Sequence, residues 1–385
     1  MNLLNRDKAA ILLIMAGMAI YFLLGRIVLM DDGVMYQGFA EALSRGVVDF
    51  RSYYGFQGLS ILAVPIIWLT QSPNSIVFTS VIFTILSIPL MYLLARNLHA
   101  SHQAGIIGVI LFLLMPYPYV TLMRGFQEAA LLFFILLIIY GSTAKKVWTP
   151  LAWAIGGIVK PFALTLAPLL LGGSTSKWLK INILLAFLIG GTYLTTSYIQ
   201  TGHLINNAAI NSYQGAFDTG NPPPLVESFA FQVKGFARVA ANFLIPSRKI
   251  LIAPSVILIG LFGLFTLRDR QMRKRFTAVI VLNVLLVGFL TFSFPKYLLP
   301  AAVIFLLASI PVFERSRWLW PIVFIDSFFV FKYIYLHFGI EFWPSFPIYL
   351  IPYYCGIGLV GYLWFNQIHH QLLSNVKKSN HHPHS

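Results

Sequence analysis

The sequence is poor in charge, and poorest in acids. Charged residues fill only 10% of its 385 positions, with 12 Asp or Glu against 27 Lys or Arg. Soluble domains carry about a quarter of their residues as charges. The chain therefore has too little charge to coat a soluble globule. It also has a single cysteine, Cys355, which excludes a disulfide within the chain.

Apolar residues take the place of the missing charges. They make up 58% of the chain, and the mean hydropathy is +0.77. They come in blocks of about 20, the length that a helix needs to cross about 30 Å of hydrocarbon. Because helices satisfy their own backbone groups in a bilayer, the pattern predicts an all-α polytopic membrane protein with one membrane domain over residues 1–385. The predicted spans are 8–30, 75–95, 104–122, 125–142, 148–159, 161–172, 181–199, 250–267, 276–292, 297–311, 318–336 and 347–365.

The net charge of +15 is distributed unevenly. With the N-terminus in the cytoplasm, the cytoplasmic segments hold 16 basic and 3 acidic residues, a net of +13, and the rest of the chain holds a net of +2. This asymmetry follows the positive-inside rule. It predicts a multi-pass protein of the cell membrane with a cytoplasmic N-terminus, and it explains the basic charge without a nucleic-acid partner.

This orientation leaves two sizeable segments on the outer side. In the first, residues 59–69 are too short to span and are interpreted as an interfacial or re-entrant helix. In the second, residues 225–244 have the periodicity of an amphipathic interfacial helix, with Lys234 and Arg238 beside its apolar face. The predicted segments are a first outer loop (31–74), a core helix module (75–199), a second outer loop (200–249), C-terminal helices (250–365) and a cytoplasmic tail (366–385).

Two of the scarce acids, Asp31 and Asp32, stand where the first span leaves the membrane. They are either a solvated cap that orients the span, or a functional pair. As a functional pair, one carboxylate would act as a general base on a hydroxyl, or both would hold a cation. The amphipathic run at 36–43, which ends near Gly46, predicts a short helix on the bilayer surface.

At this point the sequence resembles the GT-C superfamily of membrane glycosyltransferases, especially the branch with protein mannosyltransferases and the bacterial lipid A aminoarabinose transferase. Many members begin their first outer loop with an acid, often Asp-Glu, followed at fixed spacings by Tyr, Ala, Leu and Gly. The positions that carry the resemblance are Asp32, Tyr36, Ala40, Leu43 and Gly46. The chain departs from the pattern at Gly33, where the second acid is common, and has Asp31 before the motif instead.

Three further segments match the family in the expected order. Arg124 and Glu128 open the span at 125–142, Lys160-Pro161 resembles the lysine turn between two short helices, and 294–300 resembles an Arg-Tyr-x-x-Pro segment with Lys296 in place of arginine. Each match also has a plain interpretation. Glu128 suits any helix N-terminus, the lysine of the turn suits a snorkelling side chain, and Lys296-Tyr297 suits an ordinary interface anchor.

The resemblance implies a GT-C-like bundle of about 11–13 transmembrane helices, with helices in the outer loops. It implies a polyprenyl-phosphate sugar donor, a glycan, lipid or protein acceptor, and inverting transfer at the extracytoplasmic face. Asp32 would be the general base, supported by Asp31 or Glu128. These acids are also candidate ligands of a divalent cation, Mg²⁺ or Mn²⁺. The candidates for binding the donor phosphate are Lys160, Lys296, Tyr297, Lys234, Arg238 and Arg124.

Two other functions stay open at this stage. A secondary transporter or lipid flippase would use charges near the midplane of the bilayer, and Asp326 in the predicted span 318–336 is such a charge. A polymerase or ligase of lipid-linked glycans would rely on arginines of the large second outer loop, for which Arg238 and Arg248 are the candidates.

Overall fold

The computed structural model describes residues 3–24, 29, 31–53, 55–115, 125–170, 177–204, 253–267, 269–288, 295–316 and 319–324. Within these ranges the regular structure is α-helix and 3-10 helix, and no strand occurs. The prediction of an all-α chain is therefore confirmed. The predicted helix at 225–244, the predicted span at 347–365 and most of the predicted span at 318–336 lie outside the described residues.

The helices follow the predicted spans closely. Short 3-10 helices cover Pro161–Leu169 and Pro295–Leu298. The α-helices are α1 (Leu3–Leu24), α2 (Asp31–Ser44), α3 (Gly58–Thr70), α4 (Ser75–His99), α5 (His102–Leu113), α6 (Glu128–Thr143), α7 (Thr149–Val159), α8 (Lys177–Thr201), α9 (Pro254–Thr266), α10 (Arg270–Gly288) and α11 (Leu299–Arg315).

Two helix bounds differ from the prediction for local reasons. Helix α5 ends at Leu113, well before residue 122, because Pro116 and Pro118 follow it and a proline disfavours helix in the residue before it. Helix α10 begins at Arg270 instead of 276. There the Asp269 carboxylate accepts hydrogen bonds from the backbone N–H groups of Gln271 (2.8 Å) and Met272 (3.0 Å) and so caps the helix.

Three helices of the described residues are long and apolar enough to cross a membrane, by length and composition: Ser75–His99, Trp178–Thr201 and Lys296–Arg315. The last is mostly buried in the bundle, whereas Trp178–Thr201 buries only a small share of its residues. Because exposed apolar side chains on such a helix suit lipid contact, the chain is an all-α membrane protein. The predicted number of spans and their orientation stay predictions.

The predicted break at Lys160-Pro161 is confirmed. Helix α7 ends at Val159, and Lys160 has an extended backbone (φ −162°, ψ 132°). Pro161 lacks a backbone N–H and forces the preceding residue out of the helical region. The chain continues from Pro161 to Leu169 as a 3-10 helix, which also contains Pro168.

The first outer loop contains the predicted short helices. Helix α2 runs from Asp31 to Ser44, and Gly46 follows it with a φ of +81°. Helix α3, predicted over 59–69, covers Gly58–Thr70 and buries Leu59, Ala63 and Ile67. It packs between α2 and α4, so this loop is part of the bundle.

Side chains of α8 hold the loop between α2 and α3. The backbone N–H of Gln57 donates to the Tyr193 hydroxyl (3.0 Å), and that of Phe50 donates to Oε1 of Gln200 (2.8 Å). The Phe50 and Tyr193 rings pack edge to face at 5.3 Å. The loop is therefore bound to the end of α8, next to the start of the second outer loop.

Gly58 marks the closest approach between the first outer loop and α7. A Cβ atom at Gly58 would overlap the backbone of Ile158 and Val159, directly before Lys160. Only glycine permits this contact.

We predict that Gly58→Ala lowers the stability of the protein. The added methyl group forces α3 away from α7, and such overpacking costs about 1–3 kcal/mol. Unfolding of the purified protein in detergent measures the effect. Gly190→Ala is the matched control, since a Cβ atom there would meet nothing within 4 Å, and equal loss in both variants would contradict the proposed contact.

Candidate functional site

Glu128 stands at the first position of α6 and is 2% exposed. A carboxylate in the first turn suits the positive end of a helix dipole, but the dipole alone does not explain its burial. A buried carboxylate needs a cation or hydrogen-bond donors.

Two lysines supply the opposite charge. Nζ of Lys160 lies 2.5 Å from Oε1 of Glu128, and Nζ of Lys296 lies 3.5 Å from the same oxygen. Lys160 is 7% exposed, whereas the Lys296 side chain is 17% exposed. The three side chains form a buried charged cluster with one positive charge in excess.

Aromatic rings line this cluster. The Tyr297 ring stacks on Phe162 at a centroid distance of 4.4 Å. Nζ of Lys160 lies 5.5 Å from the centroid of the Tyr297 ring, and Nζ of Lys296 lies 5.4 Å from that of Phe126. Cations at these distances are attracted to the ring faces, so the rings stabilise both ammonium groups away from water.

Asn283 of α10 fixes the segment that carries Lys296 and Tyr297. Its Nδ2 donates to the Tyr297 carbonyl (3.0 Å), and its Oδ1 accepts from the Ala301 backbone N–H (3.2 Å). Asn283 is fully buried. Its amide therefore joins the 3-10 helix Pro295–Leu298 and the start of α11 to the bundle.

Asp32 reaches the same cluster from α2. Its carboxylate interacts electrostatically with Lys160, Lys296 and Tyr297. Gly125, with a φ of +73°, lets the start of α6 approach the start of α2, because a Cβ atom there would lie 3.3 Å from the Gly33 Cα. Gly33, the residue after Asp32, thus lies against the segment that leads into Glu128.

The structure brings five of the predicted site residues together: Asp32, Glu128, Lys160, Lys296 and Tyr297. They belong to four separate segments of the sequence. Asp31 begins α2, but its side chain lies outside the described residues, as do Arg124, Lys234 and Arg238. The predicted roles of these four residues stay predictions.

Two polar residues next to the cluster, Asn283 and Gln127, are not among the residues predicted from the sequence. Asn283 lies in an apolar stretch of α10, and an uncharged polar residue in such a helix is a recognisable sign of an interhelical hydrogen bond. Gln127 precedes Glu128 and donates a hydrogen bond from Nε2 to the Phe56 carbonyl of the first outer loop. Nothing in the local pattern around Gln127 indicates that contact.

The acids of the cluster supply the oxygen atoms that Mg²⁺ and Mn²⁺ prefer. Two lysines already balance the charge of Glu128, however, and the described ranges contain no group of three His, Cys, Asp or Glu arranged for a metal ion. A divalent cation at this site stays a prediction.

This chain has no match among family models or curated proteins and only distant similarity to solved structures. Some solved structures are similar, but at sequence identities and TM-scores too low to assign a family or an activity. The chain spans about half the length of those structures.

The similar solved structures include several of the oligosaccharyltransferase of Archaeoglobus fulgidus. The form tethered to an acceptor peptide has a TM-score of 0.49 and 14% identity, over 90% of this chain and 55% of that one. The form with an inhibitory peptide and a dolichol-phosphate has a TM-score of 0.48 and 12% identity, over 92% and 54%. The apo form has a TM-score of 0.47 and 13% identity, over 90% and 56%.

We predict that Glu128→Gln destabilises the protein by about 3–5 kcal/mol, since it leaves two buried ammonium groups without their carboxylate. Removing Lys160 as well relieves part of this penalty. The double variant E128Q/K160M should therefore be more stable than the sum of the two single effects predicts, with a coupling of about 0.5–3 kcal/mol. Unfolding of all four proteins in detergent measures the coupling, and strictly additive losses would rule out the ion pair.

Proposed function

We propose that the chain is a glycosyltransferase that moves a sugar from a polyprenyl-phosphate donor to a hydroxyl acceptor at the extracytoplasmic face of the membrane. The observation that supports it most strongly is the meeting of one half-buried acid, Asp32, with two lysines around the buried Glu128. Such a site offers a base for the acceptor and cations for the donor in one place.

The two lysines suit the donor phosphate. Transfer breaks the bond between the anomeric carbon and the phosphate oxygen, and the electron pair stays on that oxygen. Lys296 is the more exposed of the two cations and would contact the phosphate, with Lys160 behind it. Ammonium groups in a site shielded from water stabilise the developing charge more than they would in water.

Asp32 suits the acceptor. The acceptor oxygen forms a bond to the anomeric carbon and loses its proton, which a positioned carboxylate takes up. Direct displacement of this kind inverts the configuration of the anomeric carbon. The proton on Asp32 then offsets the negative charge that the phosphate gains, so that the net charge of the site does not change during transfer.

Glu128 suits a positioning role in this mechanism. Both lysines contact its Oε1, so it holds their ammonium groups next to each other where they would otherwise repel. A carboxylate that is already paired with two cations is a weak proton acceptor, which favours Asp32 over Glu128 as the base.

The setting of the site agrees with a lipid-linked donor. Lys296 stands at the first residue of an apolar helix long enough to cross a membrane, and α2 follows the apolar α1. A phosphate whose lipid tail lies in the bilayer meets the protein at such helix ends. The acceptor, a glycan, a lipid or a protein, approaches from the water side.

Asp32→Asn tests the proposed base. The substitution keeps the size of the side chain and removes the proton acceptor, so transfer should fall by about 10²- to 10⁴-fold, while donor binding persists. Release of sugar from a panel of polyprenyl-phosphate sugars measures it. Asp49→Asn is the control. It makes the same substitution in the same loop, at a partly exposed acid whose pKa is lowered by a hydrogen bond from the Ser52 side chain. Full activity of Asp32→Asn would refute the assignment.

Lys296→Met tests the proposed phosphate contact. Loss of the ammonium group should lower the transfer rate by about 10²- to 10³-fold, as for other groups that stabilise charge in a transition state. Lys296→Arg keeps the charge and should retain part of the activity. The exposed Lys274 of α10 provides the control variant Lys274→Met, and equal losses at both positions would contradict a local role.

A secondary transporter or flippase is the second candidate, because Lys160 is a buried charge at a helix break and transporters bind their substrates at such breaks. The same purified protein distinguishes the two functions. Uptake or lipid flipping in liposomes without release of sugar from any donor would favour transport over transfer.

A further inference from the structure

Two oxygen atoms beside the charged cluster have no hydrogen-bond donor among the described residues: Oε1 of Gln127 and Oε2 of Glu128. The two side chains are 1% and 2% exposed, respectively. Buried polar atoms in folded proteins are nearly always paired. Two unpaired acceptors on consecutive residues at the start of α6 therefore require an explanation.

The contacts of the same two side chains orient these oxygens. The Gln127 amide nitrogen donates to the Phe56 carbonyl, which leaves Oε1 on the other side of the amide group. Both lysines contact Oε1 of Glu128, which leaves Oε2 without an ammonium group. Two side chains that are otherwise well bound thus each keep one free acceptor.

These acceptors belong to the chain segment that contacts both parts of the proposed site. The lysines contact Glu128 itself, and the segment that leads into Gln127 lies against Gly33, next to Asp32. A sugar whose phosphate meets the lysines and whose anomeric carbon faces Asp32 would lie beside Gln127 and Glu128. Sugar hydroxyls are hydrogen-bond donors, which are the groups that the two acceptors lack.

We propose that Gln127 and Glu128 form the sugar subsite of this protein and accept hydrogen bonds from hydroxyl or ammonium groups of the transferred sugar. This inference rests on the proposed function and adds a preference to it. Because one acceptor is a carboxylate oxygen, the subsite favours neutral and amino sugars over sugars that carry a carboxylate, which would be repelled at that position.

A comparison of sugar-bearing and bare lipids tests the subsite. Binding of polyprenyl-phosphate glucose, polyprenyl-phosphate mannose and sugar-free polyprenyl phosphate is measured on wild type and on two variants of the full chain. Gln127→Met removes both the acceptor and the contact to Phe56. Gln127→Glu keeps an acceptor oxygen and removes the donor to Phe56, so it separates the subsite from the structural contact.

Wild type should bind at least one of the two sugar-bearing lipids more tightly than the bare lipid. Gln127→Met should reduce that difference about tenfold, the effect of one hydrogen bond to a buried acceptor, and leave binding of the bare lipid unchanged. Gln127→Glu should keep most of the difference. The exposed Gln103 of α5 provides the control Gln103→Met, which should change neither.

Three outcomes would overturn the subsite. Equal binding of sugar-bearing and bare lipids by wild type would do so even if the protein transfers sugar, which separates this inference from the proposed function. Equal effects of Gln127→Met and Gln127→Glu would assign Gln127 to the contact with Phe56 alone. A dependence of sugar binding on added Mn²⁺ that Gln127→Met abolishes would make the two acceptors ligands of a cation.

Discussion

The arrangement of this protein depends on one buried carboxylate, that of Glu128, shared by the ammonium groups of Lys160 and Lys296. A charge in such surroundings is costly unless it is paired. With Glu128 between them, two like charges stand next to each other in a place from which water is largely excluded. Glu128 balances only one of the two lysines, and Asp32 carries the second negative charge near them. The ammonium groups are what an anionic ligand would meet.

Several local features of the chain serve that arrangement. Pro161 ends α7 and turns Lys160 into the bundle in an extended conformation. Gly125 allows α6 to begin against α2, and Asn283 fastens the segment of Lys296 and Tyr297 through both ends of its amide. Pro161, Gly125 and Asn283 carry no charge themselves. Their contribution is to set the position of those that do, and small displacements of a charged site cost activity steeply.

The first outer loop belongs to the site as much as the long helices do. Through Gln57 it is bound to α8, through Gly58 it packs on α7, and through the Phe56 carbonyl it receives the amide of Gln127. A segment held at these points by three helices keeps Asp32 of the preceding helix at a defined distance from the lysines. The proposed base and the proposed cations are therefore held in one bundle by packing.

The order of the residues predicts the helical membrane class, the break at Lys160-Pro161 and the short helix after Asp32, because apolar runs and prolines act on the local backbone. The scarcity of acids in the chain singles out the charged residues of the site. The pairing of Glu128 with both lysines and the contacts of Gln127 and Asn283 are visible only in the folded bundle. Those contacts join residues far apart in the chain, and no periodicity encodes them. The apolar composition of a helix indicates that the helix is buried in lipid or protein. Which helix it packs against depends on the packing of the whole bundle.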